Sequence, residues 1–164
     1  MTNNSKQSVV TMAIIIAMFV SAFMPVSYRE GAMKDVLYSS IVWVESKGDV
    51  NARSSDGSVG IIQIKPVMVT EVNRICKIRK MDRRYTLSDR RDPDKSKEMF
   101  WIYQEFYHPN LDWDSVSVKQ MESMARKWNG GPKGEKKRGT RKYWKKVSNR
   151  LALEIRNKDI ADLL

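Results

Sequence analysis

Residues 43–66, WVESKGDVNARSSDGSVGIIQIKP, set one glutamate at the end of an apolar stretch and follow it with a loop that no regular element holds easily. Asn51, Ser54, Ser55, Asp56, Gly57, Ser58 and Gly60 either compete with the backbone for hydrogen bonds or favour turn conformations. The chain must therefore turn here. Upstream, Leu37, Tyr38, Ile41, Val42 and Glu45 recur at helical spacing, which predicts a helix over 33–46 with Glu45 on its apolar face. Downstream, VGIIQI predicts a short strand or hairpin arm, and Pro66 is suited to open the next helix.

The remaining pattern is helical. Residues 66–77 follow Pro66, and residues 92–107 follow an Asp92-Pro93 start. Residues 114–128 carry Met121, Met124, Ala125 and Trp128 on one face and stop at Gly130-Gly131-Pro132. Residues 140–157 predict a basic C-terminal helix. The expected fold is mostly α, a helical domain with one small β-hairpin beside a cleft. A chain of 164 residues that is 41% hydrophobic can bury one ordinary core.

Residues 7–28 carry no charge. Their apolar centre, 9–26, lies near the lower limit of a membrane span, about 17–25 residues. A cleaved signal also fits, with Val20-Ser21-Ala22 as the small-residue cleavage site. Signal and retained anchor both stand, with a buried core helix as the third reading. Either of the first two sends the rest of the chain out of the cytoplasm, to the periplasm or cell envelope. The expected division is 1–28 as signal or anchor and 29–164 as one domain, with membrane contact through the first part.

The net charge is +11, from 30 basic and 19 acidic residues. It predicts an anionic partner without choosing one. Cys76 is the only cysteine, so no internal disulfide or Cys-rich metal site can form. His108 is the only histidine, and its YHPN context reads as a turn. No metal or cofactor is expected.

Glu45 carries the clearest chemistry. Burial among apolar groups raises a carboxyl pKa, because the charged form loses its water. A carboxyl kept protonated near neutrality can protonate a leaving group, as cleavage of a glycosidic bond requires.

The surrounding pattern is ES-x4-NA-x-S-x2-G-x2-G-x2-Q-I-x-P: Glu45-Ser46, Asn51-Ala52, Ser54, Gly57, Gly60, Gln63-Ile64 and Pro66. It resembles, without a gap, the signature of the lytic transglycosylases, with the soluble-transglycosylase or goose-type-lysozyme-like fold. RDPDKSKEMFWIY from Arg91, ARKWNGGP from Ala125 and GTRKYWKKV from Gly139 resemble later motifs of that family in the same order. The resemblance covers residues 36–147. It implies that Glu45 is the sole acid and base and that Ser46 orients the substrate. It implies that Gly57 and Gly60 let the backbone approach a sugar, and that Gln63 bonds within the cleft or holds its floor. Asn129 would sit at the cleft edge, Tyr143 would aim its hydroxyl at Glu45, and Trp128 and Trp144 would be core or cleft wall. Two positions depart from the family pattern. Ile62 stands where Met is usual, and Trp128 where Tyr is usual.

Most glycosidases use two carboxylates. Asp49 and Asp56 are the nearby second candidates here, and both sit in the turn-rich loop. With one acid, the resemblance implies that the muramoyl 6-hydroxyl attacks its own anomeric carbon, cleaving the MurNAc-GlcNAc bond of peptidoglycan to a 1,6-anhydro product. The basic segments suit the stem carboxylates of that polymer. Three alternatives remain: a hydrolase on the same fold, a non-catalytic glycan- or nucleic-acid-binding protein, and a membrane component of a secretion or phage-entry machine. An export segment argues against nucleic acid, and the chain is expected to act as a monomer.

Overall fold

The computed structural model describes the backbone of residues 26–161, with side chains for 31–157. Its helices are α1 (Val26–Ser46), α2 (Pro66–Ile78), α3 (Pro93–Tyr107), α4 (Val118–Gly130) and α5 (Thr140–Ala161). Short 3-10 turns occupy Ser88–Arg91 and Gly134–Lys136. Of the predicted signal or anchor, residues 1–25 lie outside the described residues. Residues 26–28 belong to α1, so the division drawn at 28 falls within a helix. Among the described residues no helix is long and apolar enough to cross a membrane.

The helix ends follow local chemistry. Pro66 opens α2, and Pro93 opens α3 behind Asp92, whose carboxylate accepts from the amides of Asp94 and Lys95 at 2.9 and 3.1 Å. Ser117 and Gln120 form a capping box at the start of α4, which begins four residues later than the pattern at 114 predicts. α1 stops because Lys47 and Gly48 take φ of +56° and +89°, outside the helical region.

The predicted hairpin takes its smallest form. Val59 makes isolated antiparallel bridges to Arg53 and Ile64, and no strand forms among the described residues. A tight turn at Gly60 reverses the chain too soon for a ladder to extend. Arg90 clamps this turn from outside, donating from Nη1 to the carbonyls of Gly57 and Ile64, each at 3.1 Å.

Inside, Leu37 and Ile41 of α1 join Val72 and Ile75 of α2, Phe100 and Tyr103 of α3, Met124 of α4 and Val147 of α5 in one core. α1 packs on α5, and α5 also packs on α4. Trp43 lies beside Arg150, with the guanidinium 4.0 Å from its ring centre, and Glu45 lies beside Tyr143. The two helices therefore run in opposite directions where they meet. That pairing fixes the site.

Candidate active site

Glu45 ends the helix that α5 covers. Its side chain is half-buried. The Tyr143 hydroxyl, contributed 98 residues later, donates to Glu45 Oε1 at 2.8 Å. Tyr143 is 9% exposed, so its ring is fixed in the core while its oxygen reaches the carboxyl. Burial pushes the Glu45 carboxyl from 4.5 to about 7. The Tyr143 hydrogen bond and the charges of Lys65 and Lys146 pull it down, while Asp56 pushes it up. The outcome is an acid poised at neutrality, the range in which one group can give a proton and take one back.

The loop behind Glu45 is held by its own polar groups. Ser46 Oγ donates to the carbonyl of Ile61 at 2.7 Å and accepts from the amide of Gly48 at 3.2 Å. It ties the end of α1 to the turn. Gln63 sits at φ +50° and donates from Nε2 to the carbonyls of Ala52 and Gly60 at 3.2 and 2.9 Å. Its Oε1 accepts from Ser54 Oγ at 2.5 Å. The amide thus satisfies part-buried backbone carbonyls and ties the two sides of the loop together. Gly57 and Gly60 both have positive φ, +83° and +85°. A Cβ on Gly60 would lie 1.8 Å from the carbonyl oxygen of Arg90, so its close approach is to the chain itself.

The aromatic and apolar candidates sit deeper than the sequence suggests. Trp128 is 6% exposed, with its ring edge-on to Phe100 and Tyr103 at 5.0 and 5.8 Å between centroids. Ile62, the position of the departure from Met, is fully buried. Both pack in the core. Trp144 is half-buried against it, and Asn129 is exposed on the last turn of α4. Asp49 and Asp56 are turn formers, accepting from the amides of Asn51 and Ser58 at 2.8 and 3.1 Å. Asp56 also pairs with Lys65 at 2.8 Å, and its pKa is lowered to about 2 by hydrogen bonds from Lys65 and Ser58. His108 is the C-cap of α3, bonding the Gln104 carbonyl and Ser123 Oγ rather than Glu45.

Comparison with protein-family models matches residues 22–150 to the Transglycosylase SLT domain. The chain belongs to this family. Membership gives it a lysozyme-like domain and, in general terms, peptidoglycan lytic transglycosylase activity. Neither the curated proteins nor the solved structures yield a match. In this SLT domain sequence reading missed Arg90, the clamp on the turn that backs Glu45. The Arg90-Arg91 pair ahead of Asp92-Pro93 was its only visible signal.

Tyr143→Phe tests the contact that joins α5 to the acid. A hydrogen bond to a group that ionises is worth roughly 1.5–3 kcal/mol, so turnover should fall about tenfold or more. Because the bond lowers the Glu45 pKa, its loss should move the alkaline limb of the pH profile upward. Stability should change little, as the ring still packs. An unchanged profile with unchanged turnover on purified wall fragments removes Tyr143 from the site.

Proposed function

We propose that this SLT domain cleaves the β-1,4 bond between MurNAc and GlcNAc with Glu45 as its only acid and base, leaving a 1,6-anhydro-muramoyl end. The observation that carries the reading is the half-buried Glu45 carboxyl, raised to about 7 and held by Tyr143 at 2.8 Å. Protonated Glu45 gives its proton to the glycosidic oxygen as the bond from the muramoyl C1 to that oxygen breaks. The muramoyl 6-hydroxyl oxygen bonds to C1 and loses its proton to the Glu45 carboxylate. The acid is restored and no water is consumed. The nucleophile is already attached to the reacting sugar, so the step carries none of the entropy cost of capturing water.

Hydrolysis would need a second group to activate water. Both Asp56 oxygens are engaged, by the Ser58 amide and by Lys65. Asp49 accepts from its own turn. These commitments favour the transglycosylase reaction. Ser46, Gln63, Gly57 and Gly60 shape the wall behind the acid, with Asn129 at the cleft edge. In this reading residues 1–28 carry the domain of 29–164 out of the cytoplasm, where peptidoglycan lies, as a signal or an anchor.

Digestion of purified peptidoglycan followed by mass spectrometry of the fragments is the test. The expected muropeptides lack one water relative to hydrolytic products. The rate should fall as pH rises through about 7, where Glu45 loses its proton. Fully hydrated reducing ends would assign a muramidase.

A further inference from the structure

Basic residues occur along the whole chain, but their surroundings differ. Arg74, Arg79 and Arg83 reach Glu71, Glu105 and Glu98 at 2.6, 3.5 and 2.9 Å. Lys95 and Lys97 reach Asp89 and Asp35 at 2.6 and 3.1 Å. Residues 133–146 are built otherwise. They hold eight Lys and Arg residues and one acid, Glu135. All eight are exposed, and among the described residues none forms an ion pair with a carboxylate. Glu135 is itself taken up by Ser123 Oγ at 2.6 Å and Lys127 at 3.9 Å.

This arrangement works against the helix that carries it. Arg141 and Lys145, and Lys142 and Lys146, are like-charged pairs at i,i+4, which destabilise a helix. They sit in the first two turns of α5, near the positive end of the helix dipole, and the first turn holds no acid. Further along, the same helix uses the favourable form, with Arg150 and Glu154 paired at 2.5 Å. The strip also has a direction. α5 turns Tyr143 and Val147 inward and leaves Arg141, Lys142, Lys145 and Lys146 outward. Lys146 is close enough to lower the pKa of Glu45. The Lys146 end of the strip therefore lies near the reacting carboxyl, on the helix whose Tyr143 hydroxyl reaches it at 2.8 Å.

We propose that this strip docks the stem-peptide carboxylates of peptidoglycan beside Glu45, so that peptide-bearing glycan is cleaved in preference to glycan stripped of its peptides. This rests on the proposed function of the same site. In the intact polymer the lactyl carboxyl of MurNAc is tied up in the amide to the stem peptide, so the negative charge lies on the several carboxylates of the peptides. Removal of the peptides leaves a single lactyl carboxylate on each MurNAc. A positive rim beside the acid attracts the more numerous, outward-reaching peptide carboxylates more strongly than the one lactyl carboxylate per MurNAc of the stripped chain.

The experiment uses the full chain and one wall preparation in two forms, intact and freed of peptides with an amidase. At low salt the wild type should show kcat/KM about tenfold higher on the intact form, with the difference in KM. The preference should shrink at 0.5 M salt, where screening falls to a few ångströms. The triple variant Arg141→Gln, Lys142→Gln, Lys145→Gln should lose the preference, its rate falling much more on the intact form than on stripped glycan. It also removes like-charge repulsion, so it should fold. The charge-matched control Lys77→Gln, Lys80→Gln, Arg84→Gln should keep the preference. Equal rates of the wild type on both glycans, or an equal loss in the control, would overturn the proposal while leaving the cleavage chemistry in place. Failure of the wild type to cleave either form would overturn the proposed function itself. If the strip variant instead loses binding to phosphatidylglycerol vesicles, with both cleavage rates unchanged, the strip belongs to a membrane surface and the proposal falls.

Discussion

Glu45→Gln should abolish glycan cleavage, lowering turnover on purified peptidoglycan by about 10²–10⁴-fold. The amide keeps the shape of the side chain and can still accept from Tyr143. It cannot give a proton to the leaving oxygen or take one from the attacking hydroxyl. The same substitution should make the fold more stable at alkaline pH. The Glu45 carboxyl is raised from 4.5 to about 7 in the folded chain. Between those values the unfolded chain ionises and the folded chain does not, so stability falls as pH rises through that window and levels off above about 7. The loss amounts to at most about 3 kcal/mol. Glutamine does not titrate, so the variant should melt above the wild type at pH 8 and close to it at pH 4. Near-wild-type cleavage by the variant would remove Glu45 from the chemistry. A melting difference that does not change with pH would show that the carboxyl is not held neutral by burial.

Much of the architecture was legible because its signals are local. Pro66 and Asp92-Pro93 open helices by fixing φ or by supplying a side-chain acceptor, and Gly130-Gly131-Pro132 closes one; each acts within a turn of itself. Glu45 was legible for a related reason. Its place on the apolar face of α1 follows from spacing, and burial then follows from the face. The contact from Tyr143 rested on the family resemblance alone, because nothing in the spacing of α5 says which helix it will cover. The hairpin was overread. Val59, Ile61, Ile62 and Ile64 have the composition of a strand, but the length of a strand depends on partners, and Arg90 and Gln63 fold this segment into a turn. Trp128 and Ile62 show the remaining ambiguity. A large apolar residue gives the same signal in a core as in a cleft wall, and only the positions of Phe100 and Tyr103 place Trp128 inside. Arg90 was missed because the Arg90-Arg91 pair shows a basic position but not its target, and a clamp on backbone carbonyls 26 and 33 residues away adds no further pattern in sequence.

Gly60→Ala should be the most damaging small substitution in the loop. Two effects add. At φ +85° an alanine adopts a left-handed conformation that costs roughly 1–2 kcal/mol. Its Cβ would also fall 1.8 Å from the Arg90 carbonyl oxygen and 2.9 Å from the carbonyl carbon. Those are backbone atoms, held by the 3-10 turn at Ser88–Arg91 that leads into α3, so the turn at Gly60 must move instead. Overpacking of this kind costs about 1–3 kcal/mol more. A combined loss near 3 kcal/mol should lower Tm by roughly 6–12 °C in a domain of this size. The displacement should also reach the acid. Moving the turn strains the Arg90 bonds to Gly57 and Ile64 and the Ser46 bond to Ile61, which ties the turn to the residue beside Glu45. Cleavage should therefore drop even at temperatures where the variant is folded. Gly57→Ala supplies the comparison. It has nearly the same φ, +83°, but its Cβ would meet only Pro66 Cδ at an ordinary 4.0 Å. It should lose the conformational part alone, about 1–2 kcal/mol. Thermal melts of the two variants separate torsion from collision. Equal losses would mean that the approach to Arg90 is not what Gly60 is needed for. A Gly57→Ala variant that keeps its stability but loses affinity for glycan would give that glycine the sugar-facing role.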